Sequence, residues 1–163
     1  MYFGKNPSAL RSQKWIAEAL LELMQTKNFQ SITIKEICRK ADLTRQTFYQ
    51  LYDSKEDIVR YLLSKDCEVF KNELLEHDMI TMDILVSTFF SFFKSRKKNI
   101  QLLIVNHLEY LLVEQFTIAL PSVMENCTDN KKELLSNPYL KTFVVGGLVS
   151  MIIEWVKNSA DEL

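Results

Sequence analysis

Glycine and proline are scarce in this chain, with 3 of each among 163 residues. All-β sandwiches and barrels need a turn signal every ~8–12 residues, and those signals draw on both residue types. Apolar residues recur instead at helical spacing. The first such stripe, between Ser8 and Lys27, consists of Trp15, Ile16, Ala19, Leu20, Leu23 and Met24. The sequence therefore predicts an all-α protein, with one face of a first helix turned toward a core.

Start signals of three further helices follow in close succession. Thr33 and Glu36 have the spacing of a capping box, which predicts a short second helix. Thr44 is placed to cap a third short helix that ends near Leu51, and Ser54 is placed to cap a long fourth helix. The tight turn between the second and third helices predicts a helix-turn-helix, the arrangement that places a recognition helix in the major groove of DNA.

The third helix divides into an apolar and a polar face. Its apolar residues share one side, and the residues left outside can donate or accept hydrogen bonds. Arginine pairs with guanine, glutamine with adenine, and threonine with either base edges or phosphates. The polar face consists of Arg45, Gln46, Thr47, Tyr49 and Gln50. This choice of residues favours DNA contact over a plain solvated surface, the alternative for any polar helix face.

Charge is distributed unevenly along the chain. Residues 1–52 carry a net charge of +4 and the remainder a net charge of −5, within a total of −1. Such asymmetry is typical of a chain whose one end faces nucleic acid. We therefore predict a DNA-binding domain at 1–53 and a helical domain for regulation and dimerisation at 54–163.

The second half of the chain predicts a series of apolar helices. One runs from Asp78 to Lys94, and a second from Ile100 to about Met124 with a break near His107. The charged segment 96–99 is expected to separate them. A closing helix, Pro138 to Asn158, is apolar on nearly every face and must be covered on every face. We expect a second copy of the chain to cover it, through Phe143, Gly146, Gly147, Ser150 and Trp155.

Aromatic residues in this half are candidates for an effector pocket. Such pockets combine apolar walls with a few polar anchors. The candidates are Phe89, Phe93, His107, Tyr110 and Phe116. The alternative is that these side chains form the core and the subunit interface.

Other classes of protein find little support in the sequence. The chain holds 2 histidines and lacks the spacing of a catalytic triad, a phosphate-binding loop or a zinc protease, so we expect no enzyme. Its 3 cysteines lack metal-site spacing, and we expect no cofactor or metal. Without a secretory signal or a long uncharged span, we expect a cytoplasmic protein that contacts no membrane. A helical interaction module without DNA binding stays open as an alternative.

The segment TIKEICRKADLTRQTFYQLYDSKEDIVRYLL resembles the signature of the TetR family of regulators, a likeness that extends over residues 12–63. The resemblance implies that Thr33, Thr44, Thr47, Tyr49 and Lys55 hold the phosphate backbone. It also implies that Arg45 and Gln46 vary with the operator. Asp42 stands where the family usually has glycine, in a turn that often needs a positive φ.

The resemblance implies a dimer that usually represses its target until a small molecule binds. The twofold symmetry of a homodimer in turn predicts a pseudo-palindromic DNA operator. The stretch GGL-x₆-W, from Gly146 to Trp155, resembles a subgroup from low-GC Gram-positive bacteria that includes a regulator of dihydroxyacetone kinase. That likeness leaves open an activator, or control by a protein partner. One more helix follows in the subgroup, so we expect it to be dispensable here or the chain to be shortened.

Overall fold

A computed structural model of the chain describes residues 1–2, 4–77, 81–124 and 137–158. Within these ranges it consists of α-helices and connecting turns, with a short 3-10 turn at Phe29–Ser31, so the predicted all-α class is confirmed. The helices are α1 (Pro7–Met24), α2 (Ile34–Lys40), α3 (Arg45–Leu51), α4 (Lys55–Leu75), α5 (Met82–Ser95), α6 (Lys97–Val105), α7 (Tyr110–Met124) and α8 (Pro138–Asn158).

The chain divides into two compact units, Met1–Leu62 and Leu63–Leu163. The division falls inside α4, so the first turns of this helix belong to the N-terminal unit and the rest to the C-terminal unit. The boundary expected at residue 53 lies just ahead of α4, where the recognition elements end. As a boundary of function, it stays a prediction.

The N-terminal unit is built around α1, which packs against both α2 and α3. Ile16 and Leu20 of α1 are fully buried, as is Phe48 of α3. The expectation for Trp15 is wrong, because its side chain is 48% exposed. Successive residues of a helix point about 100° apart, and the buried stripe of α1 is centred on Ile16, so its neighbour Trp15 lies at the edge.

The turn between α2 and α3 has the backbone predicted for Asp42, whose φ is 54°. The amide of Leu43 donates to the carbonyl of Cys38 at 2.9 Å, and the amide of Asp42 to that of Arg39 at 3.4 Å. This pair of bonds is the Schellman motif that ends a helix with one left-handed residue. Aspartate tolerates that conformation better than most residues other than glycine, so the turn forms without glycine.

In the C-terminal unit, two helix starts differ from the prediction. Thr81 caps α5, which begins at Met82 instead of Asp78; residues 78–80 lie outside the described ranges. The charged segment 96–99 was expected to separate two helices, yet α6 begins at Lys97. Only Arg96 leaves the helical conformation, because lysines on a solvated face are compatible with a helix.

The break near His107 is confirmed. His107 has a φ of 57° and ends α6, and α7 begins at Tyr110. The amide of Leu108 donates to the carbonyl of Leu103 at 2.9 Å, so this turn is a second Schellman motif. Pro121 was expected to bend or shift the end of its helix, and it lies inside α7, three residues before the helix ends.

The last helix, α8, packs against α6 and α7 along one stripe. That buried stripe consists of Val145, Val149, Ile152 and Val156. By length and composition alone α8 could cross a membrane, with a mean hydropathy of 1.5 over its most apolar window. Core and interface helices meet the same criterion, and 22% of that window is buried in a single chain.

Candidate nucleic-acid interface

The recognition helix α3 separates its two faces as predicted. Phe48 and Leu51 are buried against the rest of the unit. On the opposite side the phenol of Tyr49 is 58% exposed, and its ring meets the buried Phe48 edge to face at 5.3 Å. The other exposed residues of this face are Arg45, Gln46 and Gln50, while Thr47 is half-buried. The face therefore offers a guanidinium, two amides and a phenol on one short helix.

Two threonines of the candidate site form the start of α3. The hydroxyl oxygen of Thr44 accepts a hydrogen bond from the amide of Thr47 at 3.1 Å. The two hydroxyls also share a hydrogen bond of 2.9 Å. N-capping of this kind is worth about 1 kcal/mol, a large contribution to a helix of 7 residues. Both threonines thus hold the helix in shape, and contacts from them to phosphate stay a prediction.

Thr33 has the same structural role at the start of α2, where the predicted capping box is confirmed. Its hydroxyl oxygen accepts from the amide of Glu36 at 3.2 Å, and the Glu36 carboxylate accepts from the Thr33 amide at 2.9 Å. Lys27 also donates to this carboxylate. The bonds from Lys27 and Thr33 lower the pKa of Glu36 from 4.5 to about 2. The carboxylate is therefore ionised throughout the physiological range.

Lys55 is engaged within the protein. Its Nζ donates to the backbone carbonyls of Phe29 and Ile32, both at 2.8 Å, and to that of Gln30 at 3.4 Å. The ammonium also lies 4.6 Å from the centre of the Phe29 ring. The three N–H donors of the ammonium are matched by these three carbonyl acceptors. Lys55 therefore links the segment before α2 to the start of α4. A phosphate would have to compete with these carbonyls, and the predicted phosphate contact stays untested.

Residues that the sequence-based site omitted also belong to this unit. Gln50 lies on the exposed face of α3 beside Tyr49, and the polar pattern of the helix already indicated it. Gln13 is 1% exposed inside α1. The sequence did hold an indication that Gln13 is buried: it lies three positions before Ile16, on the same face of α1 as the buried stripe. Helical periodicity could have found its burial, but not its bonding partner.

In the C-terminal unit, the predicted pocket residues separate into two groups. Phe93 and Phe116 line an enclosed cavity of about 30 Å³ together with Arg96, Cys67 and Gln115. Phe89 is buried against both of these rings, at 4.8 Å from Phe93 and 6.1 Å from Phe116 between ring centres. His107 and Tyr110 are exposed and lie outside the lining.

The cavity has room for about one water, whereas pockets for small ligands measure ~300–1,000 Å³. Its walls are also fixed by strong contacts. The Arg96 guanidinium lies 3.5 Å from the centre of the Phe92 ring, and its Nε donates to Asp66 Oδ1 at 2.8 Å. In this conformation the aromatic residues therefore pack as a core. The role of the five predicted residues in binding an effector stays a prediction.

The residues predicted for a subunit interface lie mostly on the uncovered side of α8. Phe143 is 77% exposed, and Gly147 and Ser150 are exposed near it. A methyl group added at Gly146 or Gly147 would meet no atom of the described residues within 4 Å, apart from the neighbouring backbone of α8 itself. Trp155 is half-buried, with the Lys97 ammonium 5.9 Å from its ring centre. The exposed stripe, which we call the α8 face, consists of Tyr139, Phe143, Gly147, Ser150 and Met151.

No group of three potential metal ligands comes together among the residues that the structure describes. Cys38 and Cys67 are free thiols, and Cys127 lies outside the described ranges. Burial raises the pKa of Cys67 from 9.0 to about 12, with Asp66 and Glu68 adding to the shift. Such a thiol stays protonated and is a poor nucleophile.

The N-terminal unit matches a known family. Residues 16–62 fit the family model described as bacterial regulatory proteins, tetR family. The match begins in α1 and ends in α4, and it includes the whole of α2, the turn and α3. The predicted helix-turn-helix therefore lies within the part of the chain that is similar to the tetR family.

Two curated relatives match the same half of the chain. The HTH-type dhaKLM operon transcriptional activator DhaS of Lactococcus lactis subsp. lactis (strain IL1403) is 29% identical over 65 residues, which are 40% of this chain and 35% of that protein. The HTH-type transcriptional regulator YxbF of Bacillus subtilis (strain 168) is 29% identical over 69 residues, 42% of this chain and 17% of that protein. The matches thus span about a third or less of either relative.

Solved structures share the fold over most of the chain. Lin0861 from Listeria innocua superimposes with a TM-score of 0.82 at 13% identity, over 99% of this chain and 87% of that one. The dihydroxyacetone kinase operon activator DhaS superimposes with a TM-score of 0.57 at 18% identity, over 92% of this chain and 90% of that one. At these identities the likeness shows the fold alone.

Proposed function

We propose that this chain, whose residues 16–62 belong to the tetR family of bacterial regulatory proteins, is a transcription regulator that binds double-stranded DNA through α3. The observation that carries the proposal is the exposed face of α3, where Arg45, Gln46, Tyr49 and Gln50 stand free of the core. The arginine and the two glutamines can read base edges in the major groove. The phenol of Tyr49 is suited to a phosphate oxygen, which fixes register without selecting sequence.

We further propose that two copies pair through the α8 face. Phe143 and Tyr139 are 77% and 85% exposed in the single chain, an unfavourable state for two aromatic rings in water. Mid-helix glycine costs about 1 kcal/mol relative to alanine, and no contact with the described part of the chain requires it at Gly147. Close packing of a partner helix against Gly147 would explain why glycine occupies this position. Twofold symmetry then predicts a pseudo-palindromic operator.

The proposed outcome of binding is repression that an effector relieves. A second candidate is activation, favoured by the name of the Lactococcus lactis relative, a transcriptional activator. Control by a protein partner is favoured by the cavity of about 30 Å³, which is too small for a metabolite in this conformation. Deleting the gene distinguishes repression from activation, because transcripts of the target genes rise when a repressor is lost and fall when an activator is lost.

The proposed regulator has no enzymatic activity and acts in the cytoplasm. The curated relatives are named as transcription regulators, which supports a regulator without enzymatic activity that acts in the cytoplasm. The competing class is a helical interaction module that binds no DNA. It requires only the apolar α8 face, and it gives no reason for the exposed arginine and amides of α3.

The test is the affinity for the duplex upstream of the chain's own gene, measured at several salt concentrations beside a shuffled duplex. When a protein neutralises several DNA phosphates, the logarithm of its affinity falls linearly with the logarithm of the salt concentration. The slope is about 0.9 for each phosphate. We expect a slope of several units, preference for the upstream duplex, a reduced preference in Arg45→Ala, and weaker binding of both duplexes in Tyr49→Ala. Equal and weak binding of both duplexes by all three proteins would reject the proposed function.

A further inference from the structure

Gln13 occupies a polar position within the buried stripe of α1. Its amide nitrogen Nε2 donates a hydrogen bond of 3.0 Å to the backbone carbonyl of Tyr2. A buried amide requires such a partner, because leaving it without one destabilises the fold. Gln13 thus anchors the segment ahead of α1. We call this segment, residues 1–6, the N-terminal strap; Phe3 within it lies outside the described residues.

The N-terminal strap connects this anchor to the far end of α3. The amide of Tyr2 donates to the carbonyl of Leu51 at 2.8 Å, and Leu51 is the last residue of the recognition helix. The final carbonyls of a helix find no partner within the helix itself. A helix of 7 residues is also unstable in isolation, so contacts at its ends decide where it lies.

Tyr52 links α1 to the same end of α3 by a second route. Its phenol donates to the backbone carbonyl of Gln13 at 3.1 Å, in a buried position. Burial raises the pKa of Tyr52 well above its usual range, and Tyr61 and Asp57 add to the rise, so the donor proton is retained. Both routes from α1 to the end of α3 therefore meet at Gln13, one through its side chain and one through its backbone.

We propose that Gln13 is a positioning residue for DNA binding, which acts by holding the N-terminal strap against the last turn of α3. This inference rests on the proposed function. Hydrogen bonds to base edges weaken steeply when their geometry changes. A recognition helix with a loose end makes its contacts in a smaller fraction of molecules, and the apparent affinity falls with that fraction.

The test compares Gln13→Met with the wild type. Methionine keeps the length and apolar packing of the side chain and removes the donor. Gln25→Met is the matched control, because Gln25 is exposed at the end of α1. Affinity for the duplex upstream of the gene is measured where circular dichroism shows all proteins folded, and hydrogen exchange of the Tyr2 amide is followed by NMR.

We expect the Kd of Gln13→Met to rise about three- to tenfold, the range that one lost hydrogen bond corresponds to. The salt slope stays the same because the phosphate contacts are retained. The Tyr2 amide should exchange faster, and Gln25→Met should match the wild type in every measurement. Should Gln13→Met fail to fold, Tyr52→Phe removes one hydroxyl from the same network and is expected to raise the Kd in the same direction.

Two results would overturn the inference. One is full affinity with a rapidly exchanging Tyr2 amide, because the N-terminal strap would then be loose without consequence. The other is a protected Tyr2 amide in the variant, since the strap would not depend on Gln13. A wild-type chain that binds the duplex without salt dependence would reject the proposed function itself, and the exchange measurement would still report on the strap.

Discussion

The exposed faces of α3 and α8 differ in what they need from a partner. On α3 the exposed residues Arg45, Gln46 and Tyr49 are polar or amphipathic and fully compatible with water. On α8 the exposed residues include Tyr139 and Phe143, which lose free energy in water. The first surface needs no apolar partner, and in the proposed function it binds when DNA is present. The second is completed only by another apolar surface.

Because of this difference, a substitution at one of the two faces can impair its function and leave the other face intact. Changes on α3 should affect DNA binding and leave assembly intact. Changes on α8 should affect assembly first, and DNA binding through it, because linking two binding heads raises the effective affinity by a factor of about 10²–10⁴.

The largest effect is expected for Phe143→Glu. A charge placed in the apolar α8 face would be buried without a partner on dimerisation. We expect a monomer at micromolar concentration in sedimentation and an operator affinity lowered at least about 100-fold. Val105→Glu is the control, since Val105 is 71% exposed at the end of α6 and outside the α8 face. A dimeric Phe143→Glu protein would show that the interface lies elsewhere.

Arg45→Ala should lower the affinity for DNA without changing dimerisation. A bidentate contact to guanine is worth about 1–3 kcal/mol, so the affinity for the operator should fall roughly 10- to 100-fold and selectivity at one base pair should relax. The protein should remain dimeric. Arg39→Ala, at an exposed arginine of α2, is the matched control. Equal losses for operator and random DNA in Arg45→Ala would assign this residue to phosphate instead of a base.

Lys55→Met distinguishes a structural lysine from a phosphate-binding one. Removing the ammonium removes the hydrogen bonds of 2.8 Å that it donates to the carbonyls of Phe29 and Ile32, so the free energy of unfolding should fall by about 1–3 kcal/mol. Chemical denaturation measures this loss. The salt slope of DNA binding should change by less than about 1 unit. Unchanged stability with a slope reduced by a full unit would mean that Lys55 leaves its carbonyls to bind phosphate.

Gly147→Ala tests whether a partner helix packs closely against the α8 face. Alanine favours a helix over glycine by about 1 kcal/mol, and among the described residues no atom beyond the neighbouring backbone of α8 lies within 4 Å of its methyl group. Thermal unfolding at low concentration, where monomers dominate, should therefore show a more stable chain. The dimer dissociation constant should rise, because the methyl group holds the partner helix away. Stronger dimerisation would contradict close approach at this position.

The smallest effect concerns Glu36. Its pKa in the folded chain is lowered to about 2, below the ordinary value of 4.5. The carboxylate therefore stabilises the fold above about pH 4.5, and this contribution is lost as the pH falls from there toward 2. The melting temperature of the wild type should fall more steeply over that interval than that of Glu36→Gln. Parallel curves would show that the charge of Glu36 adds nothing to stability.

Local signals in the sequence predicted the N-terminal unit well. Thr33 and Thr44 cap their helices because capping depends on residues three apart, and Asp42 takes a positive φ because its side chain permits it. Contacts between distant segments were beyond such signals. The three carbonyls around Lys55 and the bond from Gln13 to Tyr2 follow from tertiary packing.

Periodicity was weaker in the C-terminal unit, where apolar residues cover most helix faces. A helix that is apolar all round gives no direction to its buried stripe, so the side of α8 that faces the chain could not be foreseen. The aromatic residues Phe89, Phe93 and Phe116 were recognised as one group, but composition cannot distinguish a pocket from a filled core. Only the volume between the rings makes that distinction.

A hydroxyl-radical footprint on the DNA upstream of the gene tests whether two paired chains bind one operator. Two heads joined through α8 should protect two half-sites of related, inverted sequence, separated by a whole number of helical turns of about 10–10.5 base pairs. Phe143→Glu should lose both protected regions at the same protein concentration. Protection of a single half-site by the wild type, or no protection at any concentration, would contradict a paired DNA-binding regulator.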